Sequence, residues 1–355
     1  MKNLDVNIKK QLKNFEMDMS FKIEEGCTGI LGASGCGKSM TLKAIAGIVT
    51  PDQGIIKTEK HIFYDSDKKI NLPPQKRRVG YLFQNYALFP NMTVAENIAA
   101  GVIGGSTGRK PKKAEINRQV EELMEQFHLE ELKNQYAVKL SGGQQQRTAL
   151  ARILASKPDI LLLDEPFSAM DSYLKEELQI ELHNRLKEFQ GCTVIVSHDR
   201  DEIYKLCSRT MIVDEGKKII CEDTTSLFED PEHMVAARLT GCKNLSKAVK
   251  ISEHKVRALD WGIDFTIERE IPEDISYVGV RAHDFVPAGE NEPLDKNVIN
   301  VLVSDTTLSP FEHTIIFKNK DNPQKAIWMK GRKQDTQIPQ RVRVDDRKIL
   351  LLKDH

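Results

Sequence analysis

Gly32-Ala33-Ser34-Gly35-Cys36-Gly37-Lys38-Ser39 follows the apolar run Thr28–Leu31 and precedes a helix expected from Ser39 to Ala46. Strand, glycine-rich loop and helix, in that order, is the context in which such a loop cradles phosphates. Gly32, Gly35 and Gly37 let backbone N–H groups converge on an anion without Cβ clashes. Lys38 neutralises outer phosphates, and the Ser39 hydroxyl is a magnesium ligand of the right type. Ser34, Gly35, Cys36, Gly37, Lys38, Ser39 and Met40 are therefore the expected nucleotide contacts. Cys36 reads first as a small tolerated residue. A redox switch is the alternative, because Lys38 and the helix start favour a thiolate there.

Four further short apolar runs read as buried strands: Val79–Phe83, Ile160–Leu163, Thr193–Val196 and Met211–Val213. Each is bounded by turn or helix signals, which fits a sheet covered on both faces. The expected fold is α/β with a mainly parallel sheet. Between about 91 and 140 the strand signal stops. Thr93–Ala100 and Ala114–Phe127 read as helices, and the glycine-rich, basic stretch Gly101–Lys113 reads as a loop. This helical insertion ends at Leu140-Ser141-Gly142-Gly143-Gln144-Gln145-Gln146-Arg147. A helix is expected over Gln144–Ser156, and helix N-termini bind anions. Ser141, Gly142, Gly143 and Gln144 thus form a second candidate phosphate site, far along the chain from the first.

The run Ile160–Leu163 ends in Asp164 and Glu165. Beside a phosphate loop, the first carboxylate is placed to hold magnesium. The second is placed to polarise an attacking water as general base.

Bulk composition excludes several classes. The chain has 52 Lys plus Arg against 52 Asp plus Glu. That balance argues against a nucleic-acid binder, which shows a basic excess. No apolar run approaches membrane-spanning length. The start, Met1-Lys2-Asn3-Leu4-Asp5, lacks a signal-peptide pattern, so a cytosolic protein is expected. Six scattered cysteines form no CxxC pair, and nine histidines form no metal-type cluster. Reduced thiols and no zinc site follow as expectations.

From about Thr240 the texture changes. Lys255–Trp261, Tyr277–Arg281, Val298–Val303, His313–Phe317, Ala326–Met329 and Arg341–Val344 read as short strands separated by turns. They point to a small β-barrel or sandwich.

Residues 25–235 resemble the ATPase domain of ABC transporters, a P-loop NTPase fold with a helical insertion. The resemblance rests on the phosphate loop, Leu140–Arg147 and Ile160–Glu165 in that order. It implies an ATPase domain over 1–238, with its helical part at about 91–150. An accessory β-domain, similar to the TOBE type, follows over 239–355. ATP and magnesium are the implied cofactors, with Ser39, Gln84 and Asp164 holding the metal. Glu165, His198 and Gln84 are the implied catalytic group, with His198 contacting the γ-phosphate. In Ser168-Ala169-Met170-Asp171, Asp171 is the implied dimer contact. Ser141–Gln144 of one subunit would face the phosphate loop of another, giving a symmetric homodimer with two ATP sites.

The implied partners are integral membrane permease subunits and, indirectly, an extracytoplasmic substrate-binding protein, with no nucleic acid. The implied location is peripheral, on the cytoplasmic face of the membrane. Tyr86, Leu88 and Phe89 read either as a groove for a permease helix or as residues buried under the helical insertion. Leu72–Tyr81 resembles molybdate-importer ATPases, and sulfate, sugar and iron importers share part of it. An oxyanion cargo (molybdate, tungstate or sulfate) is expected. Sugar, polyamine and iron importers, and a soluble non-transport ABC ATPase, are the alternatives. Lys76-Arg77-Arg78 reads as a solvated turn. Two residues depart from the family pattern. No aromatic precedes Phe15, which reads either as the adenine-stacking residue or as a strand core residue. Met40 stands where a hydroxyl residue is common.

Overall fold

The computed structural model describes residues 3–12, 15–106, 111–168, 172–289, 293, 297–334 and 338–354. The chain divides into two compact units, Met1–Thr224 and Thr225–His355.

The first unit is built on one eleven-stranded sheet. In chain order its strands begin with β1 (Leu4–Gln11), β2 (Glu16–Ile23), β3 (Gly26–Leu31), β4 (Gln53–Thr58), β5 (Ile62–Asp65) and β6 (Ile70–Asn71). They continue with β7 (Val79–Leu82), β8 (Ile160–Asp164), β9 (Cys192–Ser197), β10 (Arg209–Asp214) and β11 (Lys217–Asp223). The spatial order is β6-β5-β4-β1-β2-β11-β10-β3-β9-β8-β7. Only the β10-β3-β9-β8-β7 portion is a continuous parallel sheet. The opposite wing, β6-β5-β4-β1-β2, is antiparallel. The expected mainly parallel sheet is thus corrected to a mixed one. The reason is visible in the strands themselves. β8 and β9 are buried at every position, because helices cover both faces. β1 and β2 instead bury alternate residues: Leu4, Val6 and Ile8, then Met17, Met19, Phe21 and Ile23.

The helices of this unit are α1 (Lys38–Ala46), α2 (Val94–Gly105), α3 (Lys113–Gln126), α4 (Gly142–Ala155), α5 (Ser172–Glu188) and α6 (Arg200–Leu206). Thr93 starts α2 with a capping box to Glu96. Gly101–Gly105, expected as loop, is helical. These glycines serve packing: a Cβ on Gly101 would lie 2.0 Å from the Arg152 carbonyl oxygen, and one on Gly105 2.4 Å from Ser156 Cα. Four residues apart, they share one face of α2 and let it touch the backbone of α4's last turns. Arg77, expected in a solvated turn, is 1% exposed. Its guanidinium donates to Ala44 O and Ile45 O at 2.8 Å, and to Leu72 O and Asn71 Oδ1. It caps the last carbonyls of α1 while lying over the Phe63 ring.

The second unit holds two five-stranded antiparallel sheets. The first contains β12 (Asn244–Ser252), β13 (Lys255–Ala258), β14 (Ile263–Thr266), β15 (Tyr277–Val280) and a last strand, Ile349–Leu352. The second contains Phe285–Pro287, Val298–Leu308, Glu312–Asn319, Ile327–Arg332 and Arg341–Val344. Trp261, Phe265, Phe285 and Phe317 lie in a core that both sheets share. This is the expected small, barrel-like β-unit. The runs read from the sequence omit four of these strands: β12, β14, Phe285–Pro287 and Ile349–Leu352.

Candidate functional site

The parallel strands set the site. Their register ends β3, β9, β8 and β7 together, with Leu31 beside Ser197, Asp164 beside Val196 and Leu82 beside Leu163. The segments that follow therefore leave one edge of the sheet: the Gly32–Gly37 loop, His198, Glu165 and Gln84. In open α/β sheets this carboxyl edge is where ligands bind.

Gly35 and Gly37 adopt φ of 82° and 102°, a left-handed backbone that glycine enters without strain. Gly37 is the N-cap of α1, and no side chain caps that helix. Its first N–H groups are thus available to an anion. Ala33, Ser34 and Gly35 form the exposed tip of the loop. Lys38 Nζ folds back onto the carbonyl oxygens of Gly32 (2.8 Å) and Ala33 (2.7 Å). Cys36 is buried beneath the loop, and that burial pushes its thiol up despite Lys38. The geometry supports the tolerated-residue reading over a reactive thiolate. Met40 packs on the apolar core, so no hydroxyl is offered at that position.

Two carboxylates are held in different ways. Asp164 is 6% exposed. Its Oδ1 accepts from Ser39 Oγ at 2.7 Å and its Oδ2 from the Tyr81 hydroxyl at 2.8 Å. Burial, then the Asp164 charge, pushes the Tyr81 phenol up, so Tyr81 remains a donor. Glu165 has φ 48°, a left-handed conformation uncommon for a residue with a side chain. Its N–H donates to Val196 O at 2.9 Å. Its Oε2 accepts from Gln84 Nε2 at 3.2 Å, and its Oε1 lies 3.1 Å from His198 Nδ1. The strained turn thus aims Glu165 out of the sheet edge, between Gln84 and His198. The oxygens of Ser39 and Asp164 are hard donors suited to magnesium.

Ser141, Gly142, Gly143 and Gln144 lie elsewhere. Ser141 is the N-cap of α4 and forms a capping box with Gln144, so the helix starts at Gly142 and not at Gln144. The side chains of Ser141 and Gln144 bond within this turn. Ser141, Gly143 and Gln144 line a cleft of about 560 Å3 with His128, Glu130 and Arg147. Asp171 lies outside the described residues. Tyr86 is buried, with its hydroxyl 3.5 Å from Pro166 O, while Phe89 is exposed under the Arg152 guanidinium.

The sequence reading assigned Tyr81 no role. An aromatic hydroxyl three residues before Gln84, on the strand beside the one ending in Asp164, was the available signal. Phe15 stands beside the loop, its ring about 3.7 Å from the space a Cβ on Gly37 would fill.

Residues 17–168 match the family described as ABC transporter. The sulfate/thiosulfate import ATP-binding protein CysA of Halalkalibacterium halodurans is 34% identical over 286 residues, covering 78% of this chain and 77% of that protein. The chain belongs to the ABC transporter family. The Fe(3+) ions import ATP-binding protein FbpC of Haemophilus influenzae is 38% identical over 225 residues. That match covers 63% of this chain and 62% of FbpC, less than two thirds of that relative's length. A spermidine/putrescine import ATP-binding protein PotA, from Nitratidesulfovibrio vulgaris, is 36% identical and covers 70% of this chain and 67% of its own. Among solved structures, a dimeric post-hydrolysis state of the ATP-binding cassette MJ0796 bound to ADP and Pi superposes with TM-score 0.53 and 28% identity. It covers 63% of this chain and 99% of the cassette. The import relatives thus span iron, sulfate and polyamine. No described helix is long and apolar enough to cross a membrane.

Proposed function

We propose that this chain is the ATP-hydrolysing subunit that powers import of a small solute through a separate membrane permease. The observation that carries the reading is the Glu165 carboxylate suspended between Gln84 and His198, beside an Asp164 already held by Ser39. Backbone N–H groups of the loop and the start of α1 bind the phosphates, and Lys38 turns from its own carbonyls to the outer ones. Ser39, Asp164 and Gln84 would hold magnesium. When bound, the metal neutralises charge on the phosphate oxygens. Glu165 takes the proton of the attacking water, and His198 positions the γ-phosphate. Phe15, at the loop, stacks on adenine.

Ser141–Gln144 supply the second half of the site from another copy of the chain. Their hydrogen bonds stay within their own turn, and the MJ0796 cassette was captured as a dimer. A homodimer with two shared sites follows, with Asp171 as a contact between its subunits. ATP closes the dimer and hydrolysis releases it. The dimer works on the cytoplasmic face of the membrane, fed by an extracytoplasmic substrate-binding protein. Exposed Phe89 and Met92 form part of the surface that receives the permease.

The proposed cargo is a tetrahedral oxyanion, molybdate or sulfate. The Leu72–Tyr81 resemblance and the length of the sulfate/thiosulfate relative's match support it. Ferric iron is the second reading, favoured by the FbpC match. The test is ATP hydrolysis by the full chain assembled with its permease in vesicles, driven by capture protein loaded with molybdate, sulfate or ferric iron. Stimulation by one cargo assigns it. A purified chain that hydrolyses no ATP with magnesium overturns the reading.

A further inference from the structure

Cys27 and Cys207 place their Sγ atoms 3.5 Å apart across 180 residues of chain. Cys27 lies at the start of β3, at the opposite end from the phosphate loop, and Cys207 is the C-cap of α6. The main chain holds them together. Ser208 donates to Cys27 O through both its N–H and its hydroxyl, each at 3.1 Å. The β3–β10 register begins at the next residues, with Thr28 beside Arg209. Gly29, two residues on from Cys27 and so on the same face of β3, leaves room for α6. A Cβ there would lie 2.6 Å from Ile203 and 3.0 Å from Cys207 Sγ. The helix is therefore seated directly on the strand, and contact between the sulfurs follows from the fold as well as from rotamers.

The two thiols differ in access. Cys27 is half-buried and reachable by a small oxidant, whereas Cys207 is buried. Cys36, Cys192 and Cys242 are buried too, and Cys221 is half-buried on β11.

We propose that Cys27 and Cys207 form an oxidation site that a peroxide converts to a disulfide. The Cys27 thiolate attacks one peroxide oxygen, and the O–O bond breaks. Cys27 then carries a sulfenic acid, and the departing hydroxide leaves as water with the Cys27 proton. The Cys207 sulfur attacks the Cys27 sulfur, the S–O bond breaks, and a second water leaves with the Cys207 proton. Two electrons pass from the thiol pair to one hydrogen peroxide, and two waters result. The sulfurs close from 3.5 Å to about 2.05 Å, the length of a disulfide bond. The link fastens α6, which begins two residues after His198, to the strand that carries the phosphate loop.

The test treats the full reduced chain with hydrogen peroxide, blocks remaining thiols in denaturant, and maps the peptides by mass spectrometry. The expected product is a Cys27–Cys207 linked peptide that dithiothreitol releases, with Cys221 still free. Cys207→Ser should leave a sulfenic acid on Cys27 that dimedone traps. Cys27→Ser should abolish the link and leave Cys207 unoxidised. The oxidised chain should unfold about 5 °C higher than the reduced one, because the cross-link closes a long loop. Overoxidation of Cys27 with Cys207 still free overturns the proposal. So does a link that forms only in denaturant, or an oxidised chain that unfolds no higher than the reduced one.

Discussion

The Tyr81 hydroxyl donates to Oδ2 of Asp164 at 2.8 Å, on the oxygen opposite the one that Ser39 holds. The carboxylate is thereby fixed from both sides before any ligand arrives. The Tyr81 hydroxyl is spent on this carboxylate, so it acts through Asp164. Partners that orient a metal-binding carboxylate are worth about 10–100-fold in metal affinity. Tyr81→Phe should therefore raise the magnesium concentration needed for half-maximal hydrolysis by about tenfold. Binding of ATP without metal should stay unchanged. Magnesium titrations of hydrolysis, with nucleotide binding measured in chelator, separate the two. An unchanged magnesium requirement would remove Tyr81 from the site.

Glu165 meets Gln84 and His198 through its two carboxylate oxygens. Glu165→Gln keeps the size and loses the base. Turnover should fall by about a hundredfold or more, while ATP binding persists and the ATP-bound dimer accumulates. Single-turnover hydrolysis and size-exclusion chromatography with ATP check both halves. Wild-type turnover in this variant would refute the assignment of Glu165 as base.

Arg77 is buried and bonds three backbone carbonyls and Asn71. Arg77→Ala takes the side-chain donor from Ile45 O and Leu72 O, leaves Ala44 O with only the Gly47 N–H, and opens a void beside Phe63. The expected cost is about 3 kcal/mol in urea unfolding. Arg77→Lys should recover only part of it, since an ammonium cannot span the same fork. A loss below about 0.5 kcal/mol would return Arg77 to the status of a surface residue.

Lys175 lies 2.6 Å from Asp199 and 2.7 Å from the buried Glu202, just behind His198. Burial disfavours charge on both Lys175 and Asp199. Contact with Asp199 and Glu202 outweighs it for Lys175, raising it; contact with Lys175 and backbone N–H bonds outweigh it for Asp199, lowering it. A lowered carboxyl stabilises the fold above its unfolded value of about 3.9 and loses that as pH falls through its folded value. A raised lysine contributes below about 10.4 and loses that as pH rises through its folded value. Lys175→Met should thus cost about 2 kcal/mol between roughly pH 5 and 10. The gap should narrow towards pH 3. Thermal unfolding of both proteins across pH measures it. A gap that stays constant down to pH 3 would tie the loss to packing and not to charge.

Much of the candidate site was legible in the chain itself. A phosphate loop needs its glycines, Lys38 and Ser39 contiguous, so their chemistry appears as a local pattern. The same holds for Asp164 and Glu165 at the end of a fully apolar strand. Strands buried on both faces read as short apolar runs, and β3, β8, β9 and β10 were found that way; β7, only half-buried at Val79 and Tyr81, is still a compact run of apolar and aromatic residues. β1 and β2 were not, because a strand covered on one face shows only every second residue as apolar. Leu4, Val6 and Ile8 were in plain view but at period two.

Sequence alone determined the family, the phosphate loop and the pair of carboxylates, since each is written in residues adjacent along the chain. Tertiary structure decided what depends on distance across it. It brought Gln84 and His198 to Glu165, set Tyr81 on Asp164 and turned Arg77 inward to cap α1. It also made helix of Gly101–Gly105, where composition reads as loop; at Gly101 and Gly105 the backbone at the end of α4 passes too close for a side chain. The polar stretch Lys243–Lys247 runs into the start of β12. Asn244 bonds Val280 O and Trp328 O, and Lys243 lies over the Trp328 ring, so packed neighbours take up the Asn244 amide. Composition states which groups a segment owns; only the packed neighbours decide which of them remain free to bind.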